Sequence, residues 1–233
     1  MKTLFKKEIN YYLNNPLGYI IVILFAVFIN FWVVKDVFVS SVASIKPFFN
    51  LLPWFLMIFI PALSMRIFAE EKKVNTIEVL LTLPLNEVTI FLAKFLALFI
   101  LVCLGLVLTF GLPLFLAFFS HLSLVEVIVG YLGALILSAV FISLSIFLSN
   151  KTKNQVVAFL LALIVNFILL VLTTDFLASI MPKIVLDLFN LYSPINHYQN
   201  FIKGLVDLRS LFYFLSFFLV FFLLTVIDLK RRK

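Results

Sequence analysis

The sequence predicts an all-α membrane protein, and two observations lead to this fold class. Hydrophobic residues make up 64% of the 233 residues, charged residues only 12%, and the mean hydropathy is +1.22. A soluble domain is about half apolar and about a quarter charged, so this chain could not cover a water-facing surface. The apolar residues also cluster into six stretches, each close to the roughly 20 residues that cross a bilayer as a helix. We therefore expect one transmembrane domain over residues 1–233, with spans at 17–34, 51–67, 95–119, 124–148, 156–172 and 211–227.

The distribution of lysine and arginine predicts the orientation. With the N-terminus in the cytoplasm, thirteen of these residues fall on the cytoplasmic side and five on the outer side. Such an excess of positive charge marks the cytoplasmic side of membrane proteins, and six spans return the C-terminus to that side. The same distribution explains the net charge of +7 without a nucleic-acid partner. Residues 1–15 carry Lys6 and Lys7 opposite Leu4, Phe5 and Ile9, which indicates an interfacial helix on the inner leaflet.

Signals inside the apolar stretches predict where helices bend and begin. Pro61 and the Gly111-x-Pro113 pair predict kinks in the second and third spans. Ser123 and Glu126 form the capping-box pattern at the start of the fourth span. Glu126 is therefore interpreted as a helix-start residue rather than as an intramembrane proton carrier.

The cytoplasmic connection 66–94 is too long for a simple turn. Asn75 predicts the start of a short helix, and Ile77, Leu80 and Leu81 share one face of it at helical spacing, before Pro84 ends it. A helix of about two turns is not stable alone in water, so this face needs a surface to cover it.

Two environments could cover the apolar face of that short helix. One is the lipid headgroup region, where many amphipathic helices lie. The other is a groove on a cytoplasmic protein, which Glu70 and Glu71 favour slightly because acids are repelled by an anionic leaflet.

The outer connection 173–210 is the second long one. Pro182 and Pro194 predict two helix starts, the latter with Ser193 as cap, and Gly204 predicts a stop. The two short helices could dip into the bilayer as a gate or cap the bundle as a lid. His121 and His197 lie far apart without nearby cysteines, so we predict no metal site.

Several chemical motifs are missing from the sequence. It contains no G-x-x-x-x-G-K-[ST] loop for nucleotide phosphates, no H-E-x-x-H and no G-x-S-x-G. We therefore expect no catalytic residue and no cofactor in this chain. A transporter built from it needs an energy source on another polypeptide.

One run resembles a known family. The segment 68–84, FAEEKKVNTIEVLLTLP, looks like the AEE…GT-E-LL…P signature of ABC-2-type permeases and is similar in particular to the gliding-motility-associated branch. Asn75 departs from the glycine that the family usually carries there. Further stretches that resemble this branch are 15–19, 47–49, 53–54, Ser193-Pro194 with His197, 204–209 and 214–216.

The resemblance implies an arrangement of subunits. It implies six-span permeases paired as two copies or two paralogues, each bound to one of two cytoplasmic ABC ATPase subunits that hold ATP and magnesium. It also implies contact with membrane lipid in a bacterial inner membrane and leaves room for a periplasmic auxiliary subunit. The ATPase-coupling residues would be Glu70, Glu71, Asn75, Thr76, Ile77, Glu78, Leu80 and Leu81. The extracellular gate residues would be Ser193, Pro194, His197, Tyr198 and Phe201.

The predicted function is accordingly that of a permease subunit of an ABC exporter for a hydrophobic, lipid-linked or polymeric substrate. Two alternatives stay open from the sequence. One is a membrane component of an ATP-driven motility or envelope-assembly machine that transports nothing. The other is a stand-alone channel or carrier.

Overall fold

A computed structural model describes residues 1–40, 45–82, 85–119, 124–171 and 193–232. All regular secondary structure within these ranges is α-helical. The helices are α1 (Lys2–Asn14), α2 (Pro16–Ser40), α3 (Lys46–Ser64), α4 (Ala69–Lys73), α5 (Thr76–Thr82), α6 (Glu87–Thr109), α7 (Gly111–Phe119), α8 (Leu124–Ser149), α9 (Gln155–Val171), α10 (Pro194–Ile202) and α11 (Leu208–Lys230).

Within the described residues, five helical stretches are long and apolar enough to cross a membrane. They are Pro16–Asp36, Lys46–Lys73, Glu87–Phe115, Leu124–Ser149 and Leu208–Lys230. Five of the predicted spans overlap these stretches, while the span predicted at 156–172 falls on α9, an apolar helix of 17 residues.

The helices extend beyond the predicted spans where polar residues find partners in the fold. α6 begins at Glu87, eight residues before the predicted start of the third span, so the last eight residues of the connection 66–94 are helical. These eight residues include Glu87 and Lys94, which are both buried. Hydropathy alone ends a span at such residues, because it treats every charge as if it were unpaired.

The kink predicted at Gly111-x-Pro113 coincides with a helix break, whereas Pro61 does not interrupt its helix and the kink predicted there stays a prediction. Phe110 forms a turn between α6 and α7 just before Gly111, and Pro113 lies in the first turn of α7. Proline lacks the N–H that would bond the preceding turn, which explains a break here. α3 continues through Pro61 and ends three residues later at Ser64. Ser123, the predicted cap of α8, lies outside the described residues.

Contacts between helix ends define two ends of the bundle. At the first, here called the α1 end, the Tyr12 hydroxyl donates to the Leu63 carbonyl (2.7 Å) and the Asn150 amide donates to Asp228 (2.8 Å). These bonds bring together α1, the end of α3, the turn between α8 and α9, and the end of α11. At the opposite α10 end, Phe201 of α10 packs directly against Gly133 of α8.

Helix α8 is the centre of the bundle. It packs against α3, α6, α9, α10 and α11. Its buried serines Ser138 and Ser143 donate to carbonyls of their own helix, which satisfies these hydroxyls without a partner on another helix. α8 therefore provides the common surface on which both ends of the bundle are built.

Candidate functional site

A buried ion cluster centred on Lys94 lies at the α1 end. This lysine lies in the second turn of α6 and is 0% exposed. Its ammonium contacts the carboxylates of Glu8 in α1 (2.8 Å) and Glu71 in α4 (2.9 Å), and donates to the Ile67 carbonyl (2.9 Å). A lysine ammonium has three N–H donors, so all three are used. This group, the Lys94 cluster, joins α1, α4 and α6.

A second ion pair lies beside the Lys94 cluster. Arg66 donates to one carboxylate oxygen of Glu70 through both Nε (2.9 Å) and Nη2 (2.7 Å). The guanidinium also lies 3.8 Å from the ring centre of Tyr11, whose hydroxyl donates to the same carboxylate at 3.4 Å. The pair fixes the segment that leaves α3 against the exposed side of α1.

Tyr12 anchors α1 from its buried side. The ring is 3% exposed, and its hydroxyl donates to the Leu63 carbonyl. Burial raises the pKa of Tyr12 well above its ordinary value, and the carboxylate of Glu8 raises it further. The phenol is therefore neutral at physiological pH and acts as a hydrogen-bond donor.

The turn between α8 and α9 holds the other side of the segment 65–73. Ser149 Oγ accepts from the backbone N–H groups of Phe68 and Ala69, at 3.3 Å each, and donates to the Met65 carbonyl at 3.0 Å. The ammonium of Lys72, which is 4% exposed, donates to the carbonyl of Asn150. Ser149 therefore satisfies two of the backbone donors at the start of α4, and Lys72 joins α4 to the turn after α8.

The same turn binds the end of α11. Asp228 accepts from Asn150 Nδ2 and forms ion pairs with Lys151 (2.7 Å) and Arg232 (3.3 Å). Together with the Lys94 cluster and the bonds of Ser149, these contacts form what we call the α1-end network. Through it, the segment 65–73 is connected to α1, α6, α8 and α11.

Helix α5 follows this segment after a left-handed residue. Asn75 has φ of +59°, a region that favours glycine and that asparagine tolerates better than most residues. This agrees with the glycine that the resemblance suggests for this position. The predicted short helix is confirmed, because α5 spans Thr76–Thr82. Pro84, predicted to end it, lies outside the described residues.

The apolar face of α5 is covered by the chain itself. Ile77, Leu80 and Leu81 are 6–9% exposed and belong to the hydrophobic core. Neither of the two expected environments, the lipid headgroups or a groove on another protein, is what this face meets in the structure. The residues that α5 leaves exposed are Thr76, Glu78, Val79 and Thr82, with Asn75 before them.

Glu70 and Glu71, which the resemblance assigns to ATPase coupling, make contacts within the chain. Glu70 pairs with Arg66, and Glu71 pairs with Lys94. Glu70 stays 37% exposed in this pair, whereas the side chain of Glu71 is 14% exposed. The eight predicted coupling residues thus fall into three groups: exposed residues at the start of α5, buried apolar residues of α5, and the two glutamates paired within the α1 end.

The residues predicted for the gate lie on α10. Ser193 caps this helix, since its hydroxyl accepts from the Asn196 N–H at 3.2 Å, and Pro194 follows in the first turn, as predicted. His197 Nδ1 lies 3.1 Å from Ser210 Oγ, and its ring stacks on Tyr213 with 4.2 Å between centres. The helix predicted from Pro182 lies outside the described residues.

The other side of α10 is buried in the bundle. Tyr198 is 1% exposed and Phe201 is 0% exposed. Burial raises the pKa of Tyr198, with a smaller contribution from Tyr131 nearby. Because Gly133 has no side chain, Phe201 can approach the α8 backbone closely; a Cβ at Gly133 would lie 2.5 Å from that of Phe201. α10 is thus part of the core at this end.

Several residues of the α1-end network were not predicted from the sequence, Glu8 and Lys94 among them. A signal for Glu8 was present, because it stands between Leu4 and Tyr12 at helical spacing and therefore lies on the buried side of α1. The weaker signal for Lys94 was its position directly before a long apolar run. Among the described residues, no group of three or more His, Cys, Asp or Glu is placed to hold a metal ion.

Comparison with known proteins identifies the family. A family model described as ABC-2 family transporter protein matches residues 2–229. No curated protein matches the chain. The family match spans nearly the whole sequence, so the chain belongs to the ABC-2 transporter family. It is a multi-pass membrane protein and a permease component of an ABC transporter. The likeness to the gliding-motility branch stays a prediction.

Proposed function

We propose that this chain is the permease subunit of an exporter in the bacterial inner membrane, driven by a separate ATPase that binds the α1 end. The observation that carries the proposal is the position of α5. This helix exposes Glu78 and Val79. It follows closely after the segment 65–73, which the α1-end network joins to several long helices. A movement of a bound ATPase against α5 could therefore be transmitted to the membrane-spanning helices.

We infer six spans with both termini in the cytoplasm. α8 and α11 both run from the α10 end to the α1 end, as the bonds of Asn150 and Asp228 and the packing of Phe201 indicate. The chain must therefore return between them, and α9 is the described apolar helix in that interval. The α1 end also carries Lys151, Lys230, Arg231 and Arg232, which favours the cytoplasm for this end.

The proposed transmission begins on the exposed face of α5. ATP and magnesium would be held by the ATPase, and closure of the ATPase dimer would press on this face. The buried side chains of Ile77, Leu80 and Leu81 connect α5 to the core, and Glu71 connects the preceding segment to Lys94. Packed helices joined by buried ion pairs are expected to move as rigid bodies.

At the other end, we propose that α10 closes the outer side of the path. Tyr198 and Phe201 fill the space beside α8, and His197 connects α10 to the start of α11 through Ser210. A rocking movement of α8 and α11 would pull on both contacts. This would convert a movement at the α1 end into opening at the α10 end.

We further propose a pair of permeases, as two copies or two paralogues, and a hydrophobic substrate. α2 and α11 expose many large apolar side chains, among them Phe28, Phe31, Phe212 and Leu215. Lipid and a second permease would together cover these faces, and a periplasmic subunit could join on the outer side. Stimulation of ATPase activity by a candidate substrate in liposomes would separate export from purely mechanical work.

The ATPase contact is tested by cross-linking from α5. In a Cys103→Ser background, which removes the single native cysteine, Val79→Cys is treated in native membranes with a thiol–amine cross-linker. We expect a cross-linked ATPase chain, identified by mass spectrometry. The matched control is Leu205→Cys, because Val79 and Leu205 are similarly exposed, at 64% and 61%, but lie at opposite ends of the bundle. Equal cross-linking from both sites, or none from Val79→Cys, would contradict the proposal.

A further inference from the structure

A cavity of about 220 Å³ lies at the α1 end, between α1 and the segment that leads from α3 to α5. Its lining includes Lys7 and Tyr11 from α1, and Arg66, Glu70, Glu71 and Thr76 from the other side. Lys7, Tyr11 and Thr76 are exposed, so the cavity opens at the protein surface. A water molecule occupies about 30 Å³ in the liquid, so the cavity has room for a small polar group.

Two of the lining residues carry buried polar atoms without a hydrogen-bond partner. Arg66 is 9% exposed, and its Nη1 has no partner, although Nε and Nη2 both bind Glu70. Glu71 binds Lys94 through Oε1, but its Oε2 has no partner. A buried polar group without a partner destabilises the fold, and such groups are rare in native proteins. Arg66 thus lacks one acceptor and Glu71 lacks one donor; both atoms are covered by protein, so a ligand in the cavity reaches them after a small rotation of these side chains.

The charges around the cavity favour a zwitterion. A simple anion would find Arg66 and Lys7 but would also face three carboxylates. They are those of Glu70, Glu71 and Glu8, the last of which is paired with Lys94. A simple cation would find these carboxylates but would face the two basic side chains. A group that carries a phosphate and an ammonium can satisfy both, since the phosphate accepts from arginine and the ammonium donates to a carboxylate.

The cavity also lies beside the ends of two helices that are long and apolar enough to cross a membrane, where lipid headgroups are expected. Arg66 follows the end of α3 by two residues, and α1 leads through Asn15 directly into α2. Both α2 and α3 belong to stretches that are long and apolar enough to cross the membrane. Two of the lining residues, Tyr11 and Val74, are exposed. Their side chains offer apolar surface to the glycerol region of a lipid.

We propose that this cavity binds the headgroup of phosphatidylethanolamine from the inner leaflet. Arg66 Nη1, together with Lys7, would bind the phosphate, and Glu71 Oε2 would accept from the primary ammonium. Phosphatidylcholine offers the same phosphate, but its trimethylammonium group has no N–H to donate. The bound lipid would pack between α1 and α4 and hold the Lys94 cluster in its present geometry. The proposal rests on the orientation inferred above, with the α1 end in the cytoplasm, and not on the binding of an ATPase.

The test measures lipid retention by the intact chain, purified in detergent and exchanged with defined lipids. Native mass spectrometry with equal amounts of phosphatidylethanolamine and phosphatidylcholine of the same acyl chains should show about a tenfold preference for the former, as expected from one charge-assisted hydrogen bond. Equal retention of the two lipids would overturn the proposal without using any variant. Water-soluble glycerophosphoethanolamine should compete only weakly; competition at the affinity of the lipid would assign the site to a soluble ligand instead.

Variants locate the site. Glu71→Gln should abolish the preference, because it changes the carboxylate that accepts from the ammonium. Arg66→Lys and Lys7→Gln, the latter at an exposed position that folding does not require, should instead weaken retention of both lipids, because both lipids carry the phosphate. The matched control is Lys73→Gln, an exposed basic residue of α4 that does not line the cavity. A preference that survives Glu71→Gln, or that Lys73→Gln removes equally, would contradict the proposal, as would unchanged lipid retention by both Arg66→Lys and Lys7→Gln. Loss of the lipid when the ATPase binds, with cross-links from Lys7 to that partner, would show that protein side chains fill the cavity instead.

Discussion

The ammonium of Lys94 lies 2.9 Å from the carboxylate of Glu71, so that one fully buried charge joins α6 to α4. Glu8 of α1 completes the cluster at 2.8 Å. Removing one member of a buried ion group leaves the others uncompensated, which is far more costly than losing a surface pair. α4 therefore cannot move away from α1 and α6 without breaking a buried charge contact, and we expect the three helices to move together.

This relationship predicts a large effect of Lys94→Met. The substitution keeps most of the volume but leaves the carboxylates of Glu8 and Glu71 without their buried cation. We expect a loss of about 3–5 kcal/mol in the free energy of unfolding. Chemical unfolding in detergent micelles, followed by circular dichroism, measures this loss.

The matched control for Lys94→Met is Lys73→Met, which removes an exposed lysine from the neighbouring helix α4. It should change the free energy of unfolding by less than about 0.5 kcal/mol, as surface substitutions usually do. Adding Glu8→Gln to Lys94→Met should restore part of the loss, since one buried carboxylate is then neutral. Similar losses for Lys94→Met and Lys73→Met would show that the cluster does not stabilise the fold.

The Lys94 cluster also shows what could not be predicted from the sequence. The apolar spans follow from residue type alone, because about 20 consecutive apolar residues have few other stable environments. Lys94 and Glu8 are 86 positions apart in the sequence. The local sequence around one of them does not indicate that the other is its partner. Hydropathy could therefore locate the helices, but it could not identify which polar residues at their ends are buried and paired.

The two faces of α5 predict different outcomes for substitutions two residues apart. Leu81→Asp places a carboxylate at a position that is 8% exposed, and we expect a loss of about 2–4 kcal/mol in stability. Val79→Asp changes a residue that is 64% exposed and should leave folding intact while weakening association with the ATPase. Thermal unfolding and co-purification of the partner, measured for both variants, separate the two effects. Normal stability of Leu81→Asp would contradict the burial of this face.

The amphipathic pattern of α5 predicted the helix but not the surface that covers its apolar face. The spacing of Ile77, Leu80 and Leu81 correctly indicated a helix with one apolar face. It could not indicate which surface covers that face, because lipid, a partner and the chain itself all offer apolar contact. The resemblance assigns both Leu81 and Glu78 to ATPase coupling, and this assignment stays a prediction; in the structure Leu81 is buried while Glu78 and Val79 are exposed.

The close approach of α10 to α8 predicts opposite effects for two glycine substitutions. At Gly133, an added Cβ would lie 2.5 Å from the Cβ of Phe201, so the α10 backbone must shift. We expect Gly133→Ala to cost about 1–3 kcal/mol through overpacking. At Gly111, an added Cβ meets nothing within 4 Å, so Gly111→Ala should be neutral or stabilise the helix by up to about 1 kcal/mol. Thermal unfolding in detergent compares them, and equal melting temperatures would contradict the packing described for α10.

The left-handed backbone at Asn75 makes a prediction about the start of α5. A β-branched residue is strongly disfavoured at a φ of +59°, so Asn75→Val should destabilise the protein by about 1–2 kcal/mol. Asn75→Gly should stay within about 0.5 kcal/mol of the native protein, because glycine adopts this conformation freely but loses more entropy on folding. Thr76→Val is the control, since it adds the same side chain at the next exposed position. Chemical unfolding of the three variants measures the order; if Asn75→Gly is as damaging as Asn75→Val, the side chain of Asn75 and not its backbone conformation determines the start of α5.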